Sequence, residues 1–66
     1  MGLKENLKQK IAEKNITARA LANISGVSVQ SLNNWKRGYN YPGSRELMLI
    51  SRVLGCTMDE LMEGEE

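Results

Sequence analysis

Helix-stopping residues punctuate the chain. Asn15, Gly26, Gly38 and Gly55 each follow a run of helix-forming residues. Asparagine and glycine suit the position just past a last helical turn, where the backbone turns left-handed. No interval between these stops exceeds sixteen residues, and single helices that short are marginal in water. The chain can fold only by packing several of them against one another. Its 66 residues, 41% of them hydrophobic, suffice for one modest core. Residues 1–66 are therefore expected to form a single all-α domain, ordered from about 3 to 62, with a frayed tail over 63–66.

Hydrophobic spacing fills in the elements. Leu3, Leu7 and Ile11 recur every four residues, with Ala12 beside them, and predict a first helix over 3–14 with one apolar stripe. Thr17 is a suitable N-cap for a second helix carrying Ala18, Ala20, Leu21, Ala22 and Ile24 and ending at Ser25-Gly26. Ser28 caps a third that runs to Arg37 and stops at Gly38. The stretch YNYPG, residues 39–43, reads as a loop. Ser44 is the expected cap of a fourth helix bearing Leu47, Met48, Ile50, Val53 and Leu54. Thr57 and Glu60 have capping-box spacing and open a short fifth helix with Leu61 and Met62 inward. Met48, Met58 and Met62 read as core filling.

Composition removes whole classes of chemistry. The chain has no histidine and one cysteine, Cys56, so neither an internal disulfide nor a zinc site can be assembled. Cys56 follows Gly55 in an apolar setting and reads as a small buried hydrophobe. No nucleophile has a base nearby in sequence, and no phosphate-cradling glycine loop is present, so no enzyme activity and no cofactor or metal are expected. No apolar run approaches the ~20 residues of a membrane span, and no signal peptide opens the chain; a cytoplasmic location fits.

The net charge of +1 conceals two poles. Residues 1–45 hold eight cations and two carboxylates, for +6, whereas residues 46–66 hold one cation and six carboxylates, for −5. A basic end can meet a polyanion while the acidic end faces away.

Helices two and three are separated by very few residues pivoting on Gly26, with Val27 plugging the corner, which is the arrangement of a helix-turn-helix. On a helical projection of the third helix, Leu32 and Trp35 point inward with Ser28 between them, and the opposite face carries Gln30, Asn33, Asn34 and Arg37, with Val29 at its N-terminal flank. Amide side chains contribute nothing to a core. They do offer a donor and an acceptor together, which matches adenine N6 and N7, and an aliphatic residue such as Val29 can meet a thymine methyl.

Residues 16–38, ITARALANISGVSVQSLNNWKRG, resemble the helix-turn-helix of the phage repressor and Cro family. The resemblance continues through Pro42, Leu47, Ile50, Leu54-Gly55 and Asp59-Glu60-Leu61, from about residue 3 to 62, and implies a compact five-helix, lambda-repressor-like bundle. It also implies a transcriptional regulator, usually a dimer on an inverted-repeat operator. By the same resemblance, Val29, Gln30 and Asn34 face bases and Asn33 meets a base edge or a phosphate. Thr17, Ala18 and Arg19 anchor one phosphate strand, and Arg37, Asn40, Tyr41 and Arg45 meet the other. The chain departs from the family where Ala18 stands in place of a frequent glutamine and can contribute only its backbone amide. Lys36 stands in place of a frequent glutamate that pairs with a basic residue on helix one, so the third helix must be held mainly by packing. Arg19 and Ala20 replace common acidic residues, which makes helix two more basic.

The expected function is thus sequence-specific double-stranded DNA binding by a transcriptional regulator, a repressor by the resemblance, acting as a homodimer that meets through helix five and the loops before it. The acidic ending fits either a natural terminus or a cut before a larger oligomerising domain. A protein-interaction module of antitoxin type is the alternative; it requires an exposed apolar patch, such as the methionines of helix five, and binding insensitive to salt.

Overall fold

In the computed structural model, which describes residues 2–64, the chain forms five helices: α1 (Leu3–Lys14), α2 (Ala18–Ser25), α3 (Val29–Arg37), α4 (Ser44–Leu54) and α5 (Met58–Met62). Local chemistry sets their ends. Thr17 Oγ1 accepts from the Ala20 amide at 3.0 Å and Ser28 Oγ from the Ser31 amide at 3.1 Å, each satisfying a donor that the first helical turn leaves open. Gly26 ends α2 at φ 87° and Gly38 ends α3 at φ 80°, backbone angles that cost a side-chain-bearing residue energy. After α3 the Tyr39 amide donates back to the Asn34 carbonyl at 2.9 Å and the Gly38 amide to the Trp35 carbonyl at 3.1 Å. These two bonds seal the end of that helix.

The core is one cluster drawn from every helix. Leu3, Leu7 and Ile11 come from α1, Leu21 and Ala22 from α2, Leu32 and Trp35 from α3, Leu47, Ile50 and Leu54 from α4, and Leu61 from α5. Leu3, Leu7, Leu21, Leu32, Ile50 and Leu61 are fully buried. Helix α3 lies against both α1 and α2, and α2 in turn packs on α4, so two helices support the back of α3 directly. Val27, Met58, Met62 and Cys56 pack at the rim of the cluster, each half-buried. Burial pushes the Cys56 thiol above its ordinary pKa, which disfavours the thiolate.

Several sequence expectations change in detail. Helix α4 is capped by Gly43, not Ser44, and Ser44 is its first residue. The Glu46 carboxylate lies where a Cβ on Gly43 would sit, with Oε1 2.6 Å from that position. A glycine at the cap therefore leaves room for the carboxylate to fold back over the start of the helix. Ala12 is exposed, because the α1 stripe is only as wide as Leu3, Leu7 and Ile11. Ile24 is 66% exposed, since α2 buries the side bearing Leu21, Ala22 and Ser25 and Ile24 falls on its flank. Ser28 is exposed because it caps α3 beyond the packed turns. Met48 is half-buried on α4.

The short helix α5 is held from the other end of the chain. Thr57 and Glu60 form the expected capping box, with Thr57 Oγ1 accepting from the Glu60 amide at 3.0 Å and Glu60 Oε1 accepting from the Thr57 amide at 3.2 Å. Hydrogen bonds from Thr57, backbone first and then side chain, hold the Glu60 carboxyl below the usual carboxylate range. At the C-terminal end Asn6 Nδ2, from α1, donates to the Leu61 carbonyl at 2.9 Å and the Glu63 carbonyl at 2.7 Å, with the Glu60 carbonyl at 3.4 Å. Lys10 adds an ion pair with Glu60 at 3.6 Å. Glu63 and Gly64 form a turn; of the expected frayed tail, residues 65 and 66 lie outside the described residues. Asn6→Ala strips the last carbonyls of α5 of these donors. It is expected to cost about 1 kcal/mol of stability and to loosen amide-exchange protection in α5 before the rest of the domain, as measured by hydrogen exchange.

Candidate nucleic-acid interface

Three strands of chemistry meet around α3: a row of amides, a set of cations without acidic partners, and open backbone donors at a helix start. The row comes first. Trp35 is 5% exposed and Leu32 fully buried, so the opposite side of α3 must face outward. Val29, Gln30 and Arg37 are exposed, while Asn33 and Asn34 are half-buried on the flanks of the same face. Among the described residues, none of the Gln30, Asn33 and Asn34 side chains makes a hydrogen bond to the protein. Amides elsewhere are engaged: Asn6 caps α5, and Gln9 donates to Glu13 at 3.1 Å. The donors and acceptors on α3 are therefore available to a ligand, with no internal bond to break first.

Charge is distributed the same way. The ion pairs among the described residues join Lys4 to Glu5 at 3.7 Å and Lys10 to Glu13 and Glu60 at 3.8 and 3.6 Å. All the carboxylates engaged this way belong to α1 or α5. Arg19 on α2, Lys36 and Arg37 on α3 and Arg45 on α4 take part in none of these pairs, so the surface around α3 is net positive, with Glu46 the acidic residue in the cleft beside Arg45.

The start of α2 supplies the open donors. Thr17 caps the Ala20 amide, and the Leu21 amide donates to the Thr17 carbonyl at 3.0 Å. The Ala18 and Arg19 amides are left without a protein acceptor among the described residues. Open first-turn amides lie at the positive end of a helix dipole, an arrangement favourable to an anion. The Ala18 side chain is half-buried against the core, so only its backbone faces out.

Arg45, from the start of α4, lines one cleft with Gly26, Val27, Ser28, Ser31, Trp35, Glu46 and Leu49. The fold thereby brings it to the turn of the helix-turn-helix. Asn40 and Tyr41 are exposed on the loop after α3, beside Tyr39.

Lys4 is the residue the sequence did not single out. Its stem runs over the end of α3, with Cδ 3.2 Å from where a Cβ on Gly38 would lie. A cation over the C-terminus of a helix is favoured by its dipole. Lys36, which lacks the family's helix-one partner, makes no ion pair among the described residues, and Leu32 and Trp35 pack α3 into the core. No motif announces Lys4, because its neighbour on α3 lies thirty-four positions away.

A small all-α domain in which two capped helices pivot on a glycine, the second presenting a polar face, defines the helix-turn-helix class. The chain matches the helix-turn-helix family over residues 7–61 and belongs to it. It is 38% identical over 66 residues to the HTH-type transcriptional activator BcrR of Enterococcus faecalis, covering 100% of this chain and 32% of that protein. It is 28% identical over 61 residues to Repressor protein C2 of Salmonella phage P22, covering 92% and 28% respectively. The chain thus spans about a third of the length of these curated relatives. Among solved structures, the P22 c2 repressor in complex with a synthetic operator superposes with a TM-score of 0.90 at 26% identity, covering 98% of each chain. The solution structure of the P22 c2 DNA-binding domain gives 0.89 at the same identity, covering 98% of this chain and 86% of that one. The five-helix arrangement is therefore that of the phage repressor domains. Among the described residues no helix is long and apolar enough to cross a membrane.

Proposed function

We propose that this domain is the double-stranded DNA-binding part of a transcriptional regulator, working in the cytoplasm and reading sequence with α3 in the major groove. The observation that carries the reading is the unengaged amide face of Gln30, Asn33 and Asn34, set among cations without acidic partners. The width of the B-DNA major groove admits one α-helix. The likeness to an operator-bound phage repressor over almost the whole chain supports the same docking.

In this reading Val29, Gln30 and Asn34 meet base edges, and Asn33 meets a base or the neighbouring phosphate. The Ala18 and Arg19 amides, with Thr17 and the Arg19 guanidinium, hold a phosphate at the start of α2, and Arg37, Asn40, Tyr41 and Arg45 hold the backbone on the other side. Phosphate contacts set the register and base contacts set the preference. Two copies of the domain, meeting through α5 and the loops before it, place their third helices about 34 Å apart in successive major grooves, which calls for an inverted-repeat operator. The likeness to Repressor protein C2 of Salmonella phage P22 supports repression as the regulatory outcome, and the likeness to the transcriptional activator BcrR supports activation as the second reading.

Selection from a randomised duplex pool at two salt concentrations tests the reading: an inverted-repeat consensus whose affinity falls steeply with salt is expected. A pool that stays random, or binding indifferent to salt, overturns it in favour of a protein-interaction module. That alternative needs an exposed apolar patch; Met58 and Met62 are half-buried against the core, and the exposed large hydrophobics are Ile24, Val29, Tyr39 and Tyr41, so the salt dependence of binding is what separates the two readings.

Arg37 is expected to act on every sequence alike. Arg37→Ala removes one phosphate contact, lowers affinity for operator and random duplex by the same factor, and reduces the slope of log K against log salt by about 1. Titrations by fluorescence anisotropy at four or more salt concentrations measure both effects. A loss confined to the operator would move Arg37 from the backbone to the bases.

A further inference from the structure

The exposed face of α3 is unusual in what it omits, and the omission restricts the base pairs it can read. Between the Ser28 cap and Trp35 the helix carries no lysine, arginine, aspartate or glutamate. The common partner of guanine is a basic side chain on O6 and N7, and a carboxylate is the partner of the cytosine amino group. Neither is available over these turns. The Ser28 hydroxyl is engaged, donating to Ser31 Oγ at 2.8 Å while accepting from the Ser31 amide, and Ser31, half-buried on the flank of the helix, keeps its own hydroxyl proton. What remains over these turns is three unengaged carboxamides and one exposed aliphatic side chain, Val29, at 36% exposure, with Arg37, assigned above to the phosphate backbone, following at the end of the helix.

We infer that the α3 face is an A·T reader, in which the carboxamides of Gln30 and Asn34 take adenine and Val29 packs on the methyl group of a thymine. This rests on the docking proposed above. Adenine alone presents an acceptor and a donor side by side in the major groove, N7 and N6, which one carboxamide satisfies with both of its ends. Guanine offers two acceptors, so the same group can use only its N–H end there and its oxygen gains no partner. Thymine adds a methyl group that cytosine lacks, and an aliphatic side chain on the rim of the face is its natural contact. The helix advances about 1.5 Å per residue, so Gln30 and Asn34 stand about 6 Å apart along it. That is close to two base-pair steps of about 3.4 Å. Each half-site is accordingly an A·T-rich block of roughly three or four consecutive pairs, flanked by positions touched only at the backbone.

The randomised selection supplies the sequence; a second binding series supplies the mechanism. Each thymine of the selected half-site is replaced in turn by deoxyuridine, which deletes only the 5-methyl group, and affinity is measured for the wild-type domain and for Val29→Ala. Losing one buried methyl is expected to weaken wild-type binding by about three- to five-fold at one position, with no further loss at that position for Val29→Ala. Circular dichroism of the variant verifies that the helices are retained. A consensus with G·C pairs at the centre of each half-site overturns the inference while leaving specific DNA binding intact. So does a uracil penalty that is absent from the wild type or unchanged in Val29→Ala. A pool with no preference for any duplex overturns the docking as well, and the two failures are thereby told apart.

Discussion

Trp35→Ala is expected to unfold most of the domain at room temperature. Trp35 is 5% exposed and sits in the core cluster with Leu3, Leu7, Leu21 and Leu32. Truncating a buried tryptophan to alanine costs about 3–5 kcal/mol, from the lost transfer free energy and the cavity left behind. A single core in a chain of this size supplies no more than about 3–5 kcal/mol of net stability. Loss and reserve are of the same size, so the variant should show little helical circular dichroism and no cooperative thermal transition. Trp35→Phe keeps an aromatic ring in the site and should melt cooperatively at a lower temperature. If Trp35→Ala instead melts like the wild type, the indole is not sealed in the core and the amide face of α3 is wrongly assigned to the outside. Because Trp35 is the only tryptophan, its fluorescence reports the same point in the wild type: blue-shifted emission, poorly quenched by acrylamide.

Gln30→Ala should leave the fold untouched and alter sequence choice. Gln30 is exposed and unbonded to the protein, and alanine is the better helix former, so the melting temperature is expected to stay or rise slightly. On a selected operator the variant should lose about 1–3 kcal/mol at one base pair, the range of a bidentate base contact. On random duplex it should bind as the wild type does, because the phosphate contacts remain. A full set of single-base operator variants, titrated with both proteins, measures this. The expected signature is one position per half-site at which the variant no longer discriminates, with discrimination elsewhere preserved. Equal losses on every duplex would mean that Gln30 acts through the backbone or through folding, and would move base reading to other residues.

The two variants separate properties that the same nine-residue helix carries on opposite sides. They also mark how far residue types alone lead. Thr17, Ser28 and Thr57 read as caps from sequence and are caps in the structure, and Gly26 and Gly38 end the helices they were expected to end. The same reasoning misplaced the cap of α4, where Ser44 has the better side chain but Gly43 holds the position; the folded-back Glu46 carboxylate occupies the space a Cβ there would need. It also counted Ile24 with the apolar residues of its helix, although the packed side of α2 turns away from it. For the candidate interface, projection separated Gln30 and Arg37 from Leu32 and Trp35 correctly. It gave no warning that Asn33 and Asn34 are half-buried by the elements flanking α3.

Helix ends and the register of the helix-turn-helix were written in the sequence because caps, glycine stops and apolar spacing act within about four residues, where the chain's own geometry supplies the partner. Contacts between distant segments were decided by the tertiary structure: Asn6 reaching the carbonyl of Leu61 across fifty-five positions, the Lys4 stem lying over Gly38, and Arg45 brought beside the Gly26 turn. Tertiary packing also settled which carboxamides are consumed as caps and which are left free for a ligand. Such partners depend on how whole helices lean on one another, and that angle comes from the packing of the entire core at once.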